Sequence, residues 1–250
     1  MGDRRDRHGA RAADRGAGAA DPDDGHDHGG RRGGRSCRPR RARLGRRGRI
    51  VRLEIIPVRT IPDVRAGDDL ASLILQALAR EGLRLERNDI LVVTQKVVSK
   101  AEGRVVPEQP DGKAAWVERE TRRVVARRWD MVIAETRHGL VCANAGVDAS
   151  NVEEGFLSLL PLDPDGTAGR IRAAVSTPAG IDVGVVITDT FGRPWRAGVL
   201  NVAIGCAGLP ALVDLRGTKD ATGRVLETTV VALADEIAAA SGLVMGKADG

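Results

Sequence analysis

The chain has 250 residues, 42% of them apolar and only 2% aromatic, with a net charge of +5. That is enough apolar material for one large domain or two small ones, with a core built from Val, Ile, Leu and Ala. No run of about 18 apolar residues occurs and no N-terminal stretch has the form of a signal peptide, so neither a membrane helix nor export is expected. Three scattered cysteines, Cys37, Cys142 and Cys206, have no metal-type spacing and suit a reducing cytoplasm.

The charge is uneven. Residues 1–50 hold 15 Arg and 7 Asp with no Lys or Glu, a balance of +8, so residues 51–250 carry −3. Met1, Leu44 and Ile50 are the only large apolar residues before position 51. Such a segment cannot offset its ordering entropy by burial, so 1–50 is expected to be a disordered Arg/Gly-rich extension. It reads either as an RNA-binding arm or, in better accord with its all-Arg composition, as a solvated extension or an early start in GC-rich DNA. The mildly acidic remainder speaks against a nucleic-acid partner. His26-Asp27-His28 has no fold around it to make a metal site.

In the remainder, VRLEIIPV at 51–58 predicts a strand and Pro62 a turn. Asp68 or Asp69 caps a helix over DLASLILQALAREG, with Leu70, Leu73, Ile74, Ala77 and Leu78 on one face and Gly82 at its end. DILVVTQ, 89–95, is a buried strand, followed by a polar loop across 94–104. A charged helix is predicted over 114–128, then strands or a hairpin at 131–135 and 139–148. DPDG, 163–166, is a turn before a helix in TAGRIRAAVS. Asp182 to Thr188 is a buried strand, and 199–217 holds two more. A last helix is predicted from Leu226, with Val230, Leu233 and Ile237 on its inner face. The chain ends abruptly at GKADG, where a further strand is expected, so the C-terminal end reads as truncated. Strands and helices do not alternate strictly, which predicts an α+β fold with a mixed sheet in 51–250.

No Walker A loop and no dinucleotide glycine fingerprint is present. The one histidine of the remainder, His138, has no helical partner for zinc. What stands out are carboxylates at strand ends. NAGVDASN places Asp148 beyond an apolar strand, and VVITDT places Asp189 and Thr190 at another. Two carboxylates and a hydroxyl make a hard oxygen site suited to Mg²⁺ or Mn²⁺, although Asp is equally at home in turns and caps. Lys96 and Lys100 can reach phosphate oxygens, and Arg193 and Arg196 can grip carboxylate or phosphate. Trp195 lies between those arginines. Asp214, Arg216, Lys219, Asp220 and Arg224 crowd DLRGTKDATGR. Cations, a metal site and glycine-rich loops without a nucleophile–histidine pair point to phosphate-dependent group transfer by positioning and electrostatics.

The ordered motifs VTQKVVSKAEGR, NAGVDASN, VVITDTFGRPWRAG, VAIGCAG, DLRGTKDATGR and ALADEIAAAS resemble the coenzyme F420-0:L-glutamate ligase (F420 γ-glutamyl ligase) family, from about residue 51 to 250. The resemblance implies a cytoplasmic, intertwined homodimer of an unusual α/β fold without a P-loop. It implies a GTP-dependent ligase that joins L-glutamate to F420-0 through an amide bond, releasing GDP and phosphate. Mg²⁺ or Mn²⁺ is implied as cofactor, with K⁺ as an optional further ion. By motif, Asp148, Asp189 and Thr190 resemble the metal ligands. Gln95, Lys96, Lys100 and Asn151 match nucleotide-contacting positions, as do the turn Ile61-Pro62-Asp63-Val64 and the segment Met245-Gly246-Lys247. Arg193 and Arg196 are assigned to the anionic substrate or the incoming glutamate. The chain departs from the family pattern in its 50-residue extension, in Gln95-Lys96 where other members carry small hydroxylated residues, and at its C-terminal end. Two other readings stay open: a GTP-binding protein of this fold without ligase activity, and the ligase piece of a bifunctional F420 biosynthesis enzyme.

Overall fold

The computed structural model describes residues 52–246. The extension at 1–50 and the site residue Lys247 lie outside them. In chain order the elements are α1 (Leu70–Arg80), β1 (Ile90–Thr94), α2 (Gln95–Ala101), β2 (Val105–Pro107), α3 (Gly112–Glu120), β3 (Thr121–Arg128), β4 (Met131–Thr136) and β5 (Val141–Ala143). A short turn at Asn144–Gly146 leads to β6 (Phe156–Ser158), α4 (Pro164–Ala179), β7 (Gly184–Gly192), β8 (Val199–Ala207), β9 (Val213–Asp214), β10 (Val230–Val231) and α5 (Leu233–Met245). The fold is α+β, with one mixed sheet and three antiparallel ones among the described residues.

The mixed sheet, in the order β1-β7-β8, carries the main core. β7 runs parallel to β1, from Gly184 opposite Ile90 to Thr188 opposite Thr94, and antiparallel to β8. Val185, Val186 and Ile187 are completely buried, as expected for a central strand covered on both faces. α4 and α5 both pack on β8, and α1 packs on α4. Gly205 on β8 lets that strand meet the start of α4: a Cβ there would lie 2.5 Å from the Pro164 carbonyl carbon. Asp69, rather than Asp68, caps α1 by accepting from the Ala71 and Ser72 amides.

Five expectations change. Residues 52–58 form no strand; Leu53 is 79% exposed, and an extended segment without a neighbour gains no ladder. The polar stretch after β1 is the helix α2, not a loop, because Val97, Val98 and Ala101 pack into the core. The helix predicted over 114–128 stops at Glu120, and 121–128 is a strand. There the β-branched pair Val124-Val125 suits an extended backbone, and Arg123 meets Glu135 across the ladder. DPDG is the cap and first turn of α4: Asp163 accepts from the Gly166 amide, and Pro164 opens the helix. The last helix begins at Leu233, since Val230-Val231 pairs with Val213-Asp214. Val105–Pro107 and Phe156–Ser158, too short to show a period, pair as β2 and β6.

Candidate active site

Strand β7 leaves the core at its second half. Residues up to Thr188 are buried, Asp189 is half-buried and Thr190 exposed. The β7–β8 register slips between Ile187 and Thr188, so β8 carries one extra residue there. Such a bulge re-aims the side chains beyond it. Asp189 accepts from the Thr190 amide at 2.7 Å. Its charge also acts on the buried thiol of Cys142 in β5; burial and then Asp189 push that thiol up to about 12. β5 packs against β7. Thr190 turns to a different neighbour: its hydroxyl donates to the Asn201 amide oxygen on β8 at 3.3 Å, and Asn201 reaches the Met245 sulfur on α5 at 3.8 Å. The Thr188 hydroxyl is buried with no hydrogen-bond partner.

The Asp148 loop follows from a left-handed turn. Asn144, Ala145 and Gly146 all have positive φ, and Asn144 is pinned because its side-chain oxygen accepts from the Val132 amide. A non-glycine residue such as Ala145 costs about 1 kcal/mol or more in that region. Gly146 is required: a Cβ there would lie 2.5 Å from the Leu160 side chain. The turn delivers Asp148 to a bridge with Ser158, each backbone bonding the other.

Helix α2 joins the separate parts. Gln95 is buried, its amide donating to Ser99 Oγ, Ser158 Oγ and the Leu159 carbonyl. That anchors the first turn and turns the Gln95 side chain inward, away from solvent. Lys96 and Lys100, one turn apart, share the outer face. Lys96 Nζ lies 2.5 Å from Asp148 Oδ2 and 2.5 Å from Ser150 Oγ. Lys100 Nζ lies 2.8 Å from Asp63. The chain entering the 61–64 turn is held by Glu81, the C-cap of α1, which accepts from the Arg59 and Thr60 amides. Burial raises the Asp148 carboxyl, but the hydrogen bonds from Lys96 and Ser150 and the Lys96 charge more than reverse this, leaving it below its ordinary value.

The predicted residues thus fall into three contacts: Asp63 with Lys100, Asp148 with Lys96, and Thr190 with Met245 through Asn201. Val64 is a core side chain, and Ile61 packs against that core. Pro62, Asn151 and Gly246 are exposed. Arg193 folds back on its own loop, donating to the Ala197 carbonyl, and Arg196 and Trp195 are exposed at the β7–β8 tip. His138 sits beside the Leu162 carbonyl. Asn201 and Asn144 were not singled out in sequence. A lone amide inside the apolar strand VLNVAIG was the available signal for Asn201.

The donor set is all oxygen, which fits Mg²⁺ or Mn²⁺. Among the described residues, no three His, Cys, Asp or Glu side chains converge. Such an ion would take the rest of its ligands from water and substrate oxygens, as Mg²⁺ commonly does.

A family model described as F420-0:Gamma-glutamyl ligase matches residues 59–115 and 107–250. The chain belongs to this family. It is 45% identical over 214 residues to a coenzyme F420:L-glutamate ligase of Methanothermobacter thermautotrophicus, covering 79% of this chain and 85% of that one. It is 44% identical over 219 residues to the protein of the same name from Methanopyrus kandleri, with 81% and 85% covered. A third, from Archaeoglobus fulgidus, is 42% identical over 213 residues, with 79% and 84% covered. Membership makes the chain a ligase that forms carbon–nitrogen bonds. No helix among the described residues is long and apolar enough to cross a membrane.

Proposed function

We propose that the chain adds L-glutamate to F420-0 in a GTP-dependent reaction, releasing GDP and phosphate. The observation that carries the reading is the α2 face, where two ammonium groups one turn apart meet acidic loops at Asp63 and Asp148. Ammonium groups so placed suit the phosphate oxygens of a nucleotide. An acid and an amine do not condense in water, because a carboxylate is a poor electrophile. In the proposed first step the acceptor carboxylate attacks the γ-phosphorus, the bond to the β-phosphate oxygen breaks, and GDP leaves. The glutamate amine then attacks the acyl carbon of the acyl phosphate, and inorganic phosphate leaves as the amide forms and the amine's proton is lost.

Asp148, Asp189 and Thr190 are assigned to hold a divalent ion. When bound, that ion neutralises charge on the phosphoryl oxygens. Lys96, Lys100, the 61–64 turn, Gln95, Asn151 and the 245–247 segment are assigned to the nucleotide. With the Gln95 side chain buried, its part falls to its backbone. Arg193 and Arg196, on a tip beyond Asp189, are assigned to the anionic acceptor or glutamate.

The working unit on this reading is a homodimer. Val124, Val125, Trp129 and Met131 are exposed on the β3–β4 hairpin, with Trp129 84% exposed, which is a surface suited to self-association. The test of the activity is a product mass spectrum after incubation with GTP, Mn²⁺ or Mg²⁺, F420-0 and glutamate. A glutamylated product with equimolar GDP is expected. GTP binding without GDP release from folded protein would favour a nucleotide-binding protein without ligase activity.

A further inference from the structure

The Asp148 carboxylate, assigned above to a divalent ion, already has a cation. Lys96 Nζ stands 2.5 Å from its Oδ2, and the same ammonium lies 2.5 Å from Ser150 Oγ. Ser150 donates to that same Oδ2 at 2.6 Å, while its amide donates to Oδ1 at 3.1 Å. Oδ2 thus already takes both the ammonium and the Ser150 hydroxyl, so an ion at the usual 2.0–2.1 Å from that oxygen would displace the ammonium. Two cations cannot share it without strong repulsion.

We propose that Lys96 is a tethered cation that fills the ion position at Asp148 in the nucleotide-free protein and exchanges it for phosphate oxygens when nucleotide and ion bind. The proposal rests on the metal role assigned to Asp148 above. Its mechanical basis is the fixed root of the side chain. Gln95 locks the first turn of α2 into the interior through Ser99, Ser158 and Leu159, and Lys100 is held by Asp63 one turn later. The backbone at Lys96 is therefore set, and only its four-carbon stem rotates. A lysine stem is suited to this: its charge is compact and its donors rotate freely, unlike the planar fork of arginine.

The displaced ammonium needs a new anion, and a nucleotide phosphate supplies one. Ion and nucleotide then strengthen each other's binding, reciprocally, with Lys96 carrying the coupling. In the absence of nucleotide the ion must compete with Lys96 directly and binds weakly. The same exchange keeps the half-buried Asp148 carboxylate paired at every stage.

The test uses the full chain and Mn²⁺ as probe, with free Mn²⁺ followed by its electron paramagnetic resonance signal. Binding is measured without nucleotide and with saturating GDP, corrected for the Mn²⁺ that GDP itself holds. In the unaltered protein GDP should tighten Mn²⁺ binding about tenfold or more. Lys96→Gln should bind Mn²⁺ without GDP about tenfold more tightly than the unaltered protein, and most of the GDP effect should vanish. Lys96→Arg, which keeps the charge, should retain weak nucleotide-free binding, and a melting curve on each variant establishes that it is folded. Equal or weaker nucleotide-free Mn²⁺ binding by folded Lys96→Gln overturns the proposal. Asp148→Asn separates the two readings. If it abolishes Mn²⁺ binding while Lys96→Gln behaves as the unaltered protein, the ion site stands and the exchange fails. If Asp148→Asn leaves Mn²⁺ binding intact, the ion role of Asp148 itself is wrong.

Discussion

Strands β7 and β3 are nine and eight residues long, and they take opposite courses. β7 is buried from Gly184 to Thr188 and only then emerges, so its polar end is aimed by a rigid interior. β3 is exposed over nearly its whole length and is held by its ladder to β4 and by ion pairs. One strand is specified by what it buries, the other by what it pairs with. The difference teaches where precision in this molecule is located: chemistry that needs a fixed carboxylate belongs at the end of a strand like β7, whereas a strand like β3 suits a surface that finds a partner.

Glu120 sits where α3 passes into β3. It is 5% exposed and lies between Arg137, at 2.8 and 3.0 Å, and Arg104, at 3.0 Å. Glu120→Ala leaves Arg104 facing no carboxylate in a largely buried place, and should cost about 3–5 kcal/mol, read as a lower urea midpoint. A loss within 0.5 kcal/mol would break the claim that pairing holds the β3 region. Acid should act on the same point. Burial raises the Glu120 carboxyl, but Arg137 and Arg104 more than reverse this, so its value in the folded chain lies below the ordinary 4.5. Its contribution is then fully present above about pH 4.5 and is lost as pH falls through the lower folded value. Glu120→Gln should flatten that part of the stability-versus-pH curve.

Asp189→Asn tests the other strand. It keeps the shape and removes the charge, so turnover of a folded variant should fall about 10²–10³-fold with little change in melting temperature. Turnover within threefold of the unaltered enzyme would show that the polar end of β7 is not part of the chemistry. Gly205→Ala places a methyl against the Pro164 backbone and should cost about 1–3 kcal/mol by overpacking, measured by chemical unfolding. The smallest effect on folding is expected at the exposed tip. Trp129→Ser should shift the stability by about 0.5 kcal/mol or less while weakening self-association in sedimentation experiments. A monomeric unaltered protein would remove the role given to that surface.

The same contrast explains how much was legible in the sequence. The strand at Asp182 to Thr188 and the helix over 70–80 could be read because burial writes a period or an apolar run into the residues. β3 could not, because TRRVVARR buries almost nothing and its strand character comes from Glu135 and its neighbours on another segment. β2 and β6 are three residues each and form by pairing across the chain rather than from a pattern of their own. For the candidate site, the Asp148, Lys96 and Lys100 positions stood out by their chemistry. Their pairing did not, since Lys96 and Asp148 are 52 residues apart in the chain. Asn201 went unnoticed although an amide within an apolar strand is a signal of its own.

The central claim is that one divalent ion is held between the Asp148 loop and the end of β7. Crystals grown with Mn²⁺ and GDP, measured for anomalous scattering from manganese, test it most directly. The account predicts a manganese peak within coordination distance of carboxylate oxygens from both Asp148 and Asp189. Manganese bound to neither residue, or the two carboxylates turned to separate sides of the fold with no ion between them, would contradict it.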